Sequence, residues 1–257
     1  MTLRTLVKSL VETTGYTIHR IPNSEDVYEQ DGLQSIHNHD FLDDDSFRKA
    51  YQRGVIATHN RDYGWHWRVH IGLWVAYSAS KLNGDFVECG VNHGFLSSAI
   101  MEYLNWNSLE KTFYLLDTFS GLDERYVSEQ ELKSGVLERN EDSLKSGFYV
   151  PGVETVRENF SEWKNVRIIQ GSVPDTLSSV DTQHIAYLHL DMNCAPPEVA
   201  AFNALWERLV PGAFILLDDY AYRGFGVQKS AMDAAAGAKG LRIVSLPSGQ
   251  GLLLKPA

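Results

Sequence analysis

The chain has 257 residues, 44% hydrophobic and 22% charged, with 20 glycines and 8 prolines; this is ordinary globular composition and excludes disordered and fibrous classes. A formal charge of -10 opposes a nucleic-acid partner, which needs a net or local excess of Lys and Arg, and no basic run is present. The two cysteines, Cys89 and Cys194, are too few for a disulfide framework and fit a reducing compartment.

Residues 1–60 carry little pattern beyond a short amphipathic helix over Leu3 to Val11 and a polar stretch through Asp31. Met1 to Arg20 is interrupted by Lys8, Glu12 and several threonines, so it offers no signal-peptide core. No run approaches the roughly 20 apolar residues that a membrane span requires. A cytoplasmic protein with no membrane partner is expected. Asp45 reads as the N-cap of a helix beginning at Ser46. His37, His39, His59, His66 and His70 lack the paired spacing of a structural zinc site, so ordinary packing is the expectation for them.

From His66 to Leu82, the residues Trp67, Ile71, Trp74, Val75 and Ser78 fall on one face at helical spacing and predict a core helix. Alternatively, Ile56 to His59 and Arg68 could reach over the neighbouring strand ends and cover a ligand. Gly84 to Gly94 then reads as a short strand, a glycine turn and the start of a helix running from Phe95 to Leu104. Further strands are predicted at Thr112 to Leu116, Val166 to Ile169, His184 to Leu190, Ala213 to Leu217, Leu241 to Ser245 and Gly251 to Lys255. The turn Pro247-Ser248-Gly249-Gln250 is so short that the last two must form an antiparallel hairpin.

The expected fold is therefore α/β: one mostly parallel sheet of seven strands, its last strand antiparallel, with helices on both faces. Residues 123–165 form a polar insertion, either a lid over a site or a set of solvated surface helices. No repeat or linker marks a further domain, so an N-terminal helical cap region (1–83) followed by a single 84–257 domain is the expected organisation.

Ligands of open α/β sheets bind outside the carboxyl ends of the strands. Those ends carry Glu88, Asp117, Gly171-Ser172, Asp191 and Asp218-Asp219. The turn Gly90-Val91-Asn92-His93-Gly94 lacks the middle glycine that lets backbone approach a pyrophosphate, which weakens nicotinamide and flavin readings and suits a nucleoside without phosphates. Asp117, at the second strand end, is placed to accept a ribose diol. The strands ending in Asp191 and in Asp218-Asp219 should be neighbours, roughly 4.8 Å apart. Three carboxylates that close call for a cation, and an oxygen donor set fits magnesium or calcium better than zinc. The alternative is that Asp218 or Asp219 caps the next helix.

The run His189-Leu190-Asp191-Met192-Asn193-Cys194-Ala195-Pro196-Pro197-Glu198, then Leu209-Val210-Pro211-Gly212 and Leu217-Asp218-Asp219-Tyr220, resembles the macrocin-type sugar O-methyltransferases, which include the mycinamicin and novobiocin deoxysugar enzymes. Asp117 to Leu122, Gly171 to Leu177 and Gln228 to Asp233 support the resemblance, which covers Gly84 to the C-terminus and extends weakly through Thr58. It implies a class I methyltransferase (Rossmann-like) fold that uses S-adenosyl-L-methionine and a divalent metal, usually Mg2+. Carried over, Glu88, Gly90 and Gly94 line the methionine end, Asp117 takes the ribose hydroxyls, Ser172 lies near the adenine, and Thr58 joins the cofactor set. Asp191, Asp218 and Asp219 match the metal carboxylates, and Asp191 doubles as the catalytic residue. The resemblance also implies self-association as a homo-oligomer.

One position departs from the family. Members often carry Asp-x-Asp where this chain has Asp191-Met192-Asn193, and an amide cannot take a proton. The base is then Asp191 itself, a helper such as His93 or Tyr220, or the metal acting alone. The expected function is metal-dependent methyl transfer to a hydroxyl of a sugar or glycosylated small molecule. A catechol or other diol acceptor, with Trp65, Trp67 and Phe148 around it, is the second reading, and a non-catalytic cofactor-binding homologue is the third.

Overall fold

The computed structural model describes residues 3–15 and 27–256, and the chain divides into two compact units, Met1–His39 and Asp40–Ala257. The expected absence of a signal-peptide core spans residues 16–20, which lie outside the described residues, as does most of the polar stretch before Asp31.

The first unit contains helix α1 (Leu3–Glu12) and a hairpin of β1 (Tyr28–Gln30) and β2 (Leu33–Ser35). Asp31 and Gly32 both take positive φ, 50° and 72°, the combination that a two-residue turn between twisted strands requires. His37 and His39 engage each other locally, with His39 Nδ1 3.0 Å from the His37 carbonyl.

The second unit opens with α2 (Asp45–Ala57) and α3 (His66–Ser80). Asp44, not Asp45, is the cap of α2: its side chain accepts from the Phe47 N–H at 2.8 Å, and Asp45 becomes the first helical residue. The helix over 66–80 exists, but its buried face differs from the expected one. Arg68, Val69, Gly72, Leu73, Val75, Ala76 and Ala79 are buried, whereas Trp74 is 55% exposed. Apolar residues surround this helix, so spacing alone could not select the face that meets the sheet.

The sheet follows. In chain order it contains β3 (Asp85–Cys89), β4 (Phe113–Asp117), β5 (Val166–Gln170), β6 (Ile185–Leu190), β7 (Leu209–Leu217), β8 (Val244–Ser245) and β9 (Gly251–Leu254). The spatial order is β5-β4-β3-β6-β7-β9-β8, with β9 antiparallel to both neighbours and the other pairs parallel. Seven strands, the closing hairpin and the β6–β7 neighbourhood are as the sequence predicts. Order reverses between β3 and β6, so the crevice above that pair is where an open α/β sheet places its ligand.

Both faces of the central strands are buried, which is why they read as continuous apolar runs. Phe86, Phe113, Leu115 and Tyr187 pack on the side covered by α2, α3 and α4 (Phe95–Tyr103). Val87, Tyr114, Leu116 and Leu188 pack on the other, with α8 (Ala195–Leu205) and α9 (Gly226–Gly237). Between β4 and β5 the insertion folds as α5 (Glu129–Lys133), α6 (Val136–Lys145) and α7 (Val153–Asn159). Among the described residues, no helix is long and apolar enough to cross a membrane.

Candidate active site

The strand ends are drawn together by the ladder itself. Just past β6, the Asp191 N–H donates to the Cys89 carbonyl at 2.8 Å; just past β7, the Asp218 N–H donates to the Leu190 carbonyl at 3.0 Å. Gly90 sits in that seam at φ 91°, and a Cβ built there would lie 1.8 Å from the Asp191 carbonyl oxygen. Its glycine is demanded by the approach of the next strand end, a reason independent of any cofactor. At Gly94, φ 82°, a Cβ would meet the Phe160 ring at 2.4 Å, so this glycine lets the insertion close against the turn.

Asp117 organises the turn. One of its oxygens accepts from the Val91 and Asn92 N–H groups at 2.7 and 2.8 Å, and the other accepts from the Phe119 N–H at 2.6 Å. A carboxylate offers about four lone-pair sites, so a ribose diol would have to share this group with the backbone it holds. Ser172 hydrogen-bonds Asp123, where the insertion begins. Thr58 ends α2, and its hydroxyl donates into the backbone carbonyls of Val55 and Arg61 at 2.9 and 2.7 Å; its polar atom is turned into its own segment.

Glu88 and His189 meet across β3 and β6. They are register partners on the face that carries Phe86 and Tyr187, with His189 Nδ1 3.0 Å from Glu88 Oε1. The second Glu88 oxygen, Oε2, is buried without a hydrogen-bond partner, a position that favours a cationic group. His189 Nε2 lies 3.7 Å from Asp218 Oδ1. Burial alone would lower the His189 pKa, but the Asp218 and Glu88 carboxylates outweigh it and push it up to about 10.

The expected cation site takes a different form. Arg68, buried on α3, pairs with Asp218 Oδ2, donates to the Asp218 carbonyl at 3.2 Å and lies 3.4 Å from Asp219 Oδ1. Gln250, from the β8–β9 turn, donates to the other Asp218 oxygen at 3.1 Å. Both Asp218 oxygens are therefore engaged, and no group of three His, Cys, Asp or Glu side chains gathers as a metal shell among the described residues. The donor set as arranged does not fit Mg2+. The physical reason is that a guanidinium already supplies the positive charge these acids need.

Asp191 is partly buried, and its carboxyl is raised well above the usual range, first by burial and then by the negative charges of Asp218 and Asp219. Burial would raise Asp218 too, but Arg68 and His189 hold it below that range. The same surroundings thus push the two acids in opposite directions, Asp218 toward its ionised form and Asp191 toward its protonated one. Asn193, at φ 55°, directs its amide to Asp191 Oδ1 at 3.4 Å. The Tyr220 hydroxyl, the other helper considered, is engaged by Asp233 and Lys229 on α9. His93 has one ring nitrogen 3.4 Å from the Gly147 carbonyl and stacks edge-on against His59. Neither Asp218 nor Asp219 caps α9, which starts seven residues beyond Asp219 at Gly226.

The insertion is tied to the first turn. Asn92 donates to the Phe148 carbonyl and accepts from the Val150 N–H, both at 2.9 Å, fastening that part of the insertion to the turn after β3. Tyr149 has its pKa raised by burial, then by the negative charges of Asp191, Asp219 and Asp117. Phe148 packs edge-on against Tyr63 and Trp65, which stack on each other at 4.4 Å. Trp67 faces elsewhere, toward Phe41 and His70. Glu131 on α5 accepts from the Ala195 N–H at 2.7 Å, at the start of α8. His189, Gln250, Glu131 and Tyr149 were not legible as site residues. Only His189 left a signal, a lone polar side chain in a strand buried on both faces, where a partner is obligatory.

The order of the sheet, the closing antiparallel strand and the ligand crevice at β3 and β6 define the class I methyltransferase fold. Solved structures agree at the level of fold: the O-methyltransferase NovP superposes with a TM-score of 0.63 at 20% identity, over 74% of this chain and 80% of that one. An SAH-bound methyltransferase from Podospora anserina reaches 0.51 at 14% identity, over 86% and 97%. The family model for macrocin-O-methyltransferase (TylF) matches residues 75–235, and the chain belongs to that family. A curated relative from Streptomyces olivaceus, 8-demethyl-8-(2,3-dimethoxy-alpha-L-rhamnosyl)-tetracenomycin-C 4'-O-methyltransferase, is 29% identical over 152 residues, 56% of this chain and 55% of that protein. The chain spans about half the length of the curated relatives it matches.

Proposed function

We propose that the chain is an S-adenosyl-L-methionine-dependent O-methyltransferase whose acceptor is a hydroxyl of a sugar or glycosylated small molecule. The observation that carries this reading is the pairing, one strand apart, of Glu88 with its unpartnered buried oxygen and Asp191 with its raised carboxyl pKa. Family membership and the sugar-directed relative from Streptomyces olivaceus support it.

When bound, S-adenosylmethionine supplies a methyl group activated on a sulfonium. Glu88 Oε2 would pair with the ammonium of its amino-acid end. Asp117 and the turn it clamps would hold the ribose side, with Ser172 toward the base. Asp191 accepts the proton of the acceptor hydroxyl, and its raised pKa makes the ionised carboxylate a stronger base than an ordinary one. Arg68 and His189 keep Asp218 ionised, so the proton goes to Asp191. Tyr63, Trp65 and Phe148 form an apolar wall that excludes water and offers rings to the faces of a sugar. No step is routed through a divalent cation, because the carboxylates that would hold one are otherwise engaged.

Residues 84–257 form the cofactor domain in this reading, residues 123–165 and the segment before Gly84 set acceptor specificity, and a cytoplasmic, self-associating enzyme is the setting. Two measurements test the function: calorimetric titration with S-adenosylmethionine, and a methyl-transfer assay across deoxysugar glycosides and catechols. Binding with transfer to the glycosides supports the proposal. Transfer to catechols alone, made possible by the aromatic wall, would shift the acceptor class, and absence of cofactor binding would remove the whole reading.

A further inference from the structure

The arrangement of Arg68 has a consequence for the ion chemistry of this site. Its guanidinium touches Asp218 at both the carboxylate and the backbone carbonyl, and reaches Asp219 at 3.4 Å. It lies over the Tyr222 ring at 5.0 Å and near the Trp65 ring at 5.9 Å. Aromatic faces on a buried guanidinium favour the cation and fix its plane. Arg68 is 6% exposed and Asp218 9%, so the pair is shielded from water and weakly screened by salt. Gln250 and His189 take the remaining side of the same carboxylate. A charge seated by two acids, a carbonyl and two rings is a built feature of the fold.

We propose that Arg68 is the resident counter-cation of the acceptor half, and that a divalent ion can reach the Asp218 carboxylate only by displacing it. This deepens the functional reading above, in that it concerns how the same carboxylates are held. Arg68 is thereby a positioning residue: it fixes the Asp218 carboxylate.

The test is calorimetric titration of MgCl2, without any cofactor, into the wild-type chain and into Arg68→Ala and Arg68→Lys variants. The wild type should bind Mg2+ at millimolar concentration or not at all. Removing the competing charge in Arg68→Ala should tighten Mg2+ binding by about tenfold or more, since a unit charge a few Å away contributes several kcal/mol at a partly buried site. Arg68→Lys, which keeps a cation, should stay close to the wild type. Mg2+ binding to the wild type at micromolar concentration would overturn the proposal, as would an Arg68→Ala variant that folds and gains no affinity. Should Arg68→Ala fail to fold, the wild-type titration still decides. Because these titrations omit S-adenosylmethionine, their result stands apart from whether the chain binds that cofactor.

Discussion

Glu88 and His189 face each other as register partners across β3 and β6, 3.0 Å apart and almost fully buried. His189 carries a positive charge at neutral pH, because its neighbouring carboxylates outweigh its burial. One imidazolium therefore joins the acid proposed for the methyl donor to the acid on the acceptor side, and the two halves of the site are held by a single ring.

Replacing that ring by an amide leaves two buried carboxylates with less compensation. His189→Gln is expected to lose about 3–5 kcal/mol of stability, the usual consequence of removing one partner from a buried ionic group. Urea unfolding of the two proteins at pH 7 measures it. A loss within about 0.5 kcal/mol, the range of ordinary surface changes, would show that Arg68 and Gln250 compensate alone.

Asp191→Asn keeps the shape and removes the proton acceptor. Methyl transfer is expected to fall by roughly a hundred- to ten-thousand-fold, the range of a lost general base, while S-adenosylmethionine binds as in the wild type. Single-turnover transfer and calorimetry separate these quantities. An unchanged rate would move the base elsewhere in the site.

Glu198 is buried, accepts from Gln228 at 2.7 Å and from the Met192 N–H at 3.2 Å, and burial lifts its pKa to about 8 from 4.5. A raised folded-state pKa means that the folded chain favours the protonated acid. The stability this provides is full below pH 4.5 and is lost as pH rises through 8. Glu198→Gln mimics the protonated form, so its advantage over the wild type should be small at acidic pH, grow by up to about 1.4 kcal/mol per unit between the two values, and level off above. Denaturation midpoints from pH 5 to 9 follow the trend; a constant difference would mean that Glu198 does not titrate in that interval.

Glu131 ties the insertion to the start of α8: it receives the Ala195 N–H and completes a capping box with Ser128. Glu131→Ala leaves that N–H buried without its acceptor, and a stability loss of about 1–3 kcal/mol is expected. Limited proteolysis should cut within residues 123–165 faster in the variant. Equal cleavage rates would show that this contact does not hold the insertion closed.

The sequence by itself determined the sheet. Short apolar runs such as Phe113 to Leu116 and Ile185 to Leu188, within β4 and β6, are strands because a segment buried on both faces can be apolar at successive positions. The four-residue turn at 247–250 forced the last hairpin, and the acids at successive strand ends marked the crevice. The choice of buried face on α3 was not legible, because apolar residues ring that helix and burial of Val75 rather than Trp74 depends on what packs beneath it.

The electrostatics of the site were decided only by tertiary structure. The acids Asp191, Asp218 and Asp219 could be read along the chain, but the charge that balances them comes from Arg68, 150 residues from Asp218 in sequence, from His189 on the neighbouring strand and from an uncharged Gln250 in a turn. Whether a carboxylate cluster needs an external cation is fixed by the three-dimensional neighbours of its oxygens, since Coulomb energy follows distance and burial rather than position in the chain. Gly90, legible as a ligand-binding glycine, is also required sterically by the Asp191 carbonyl against which it packs, a contact that only the paired strand ends create.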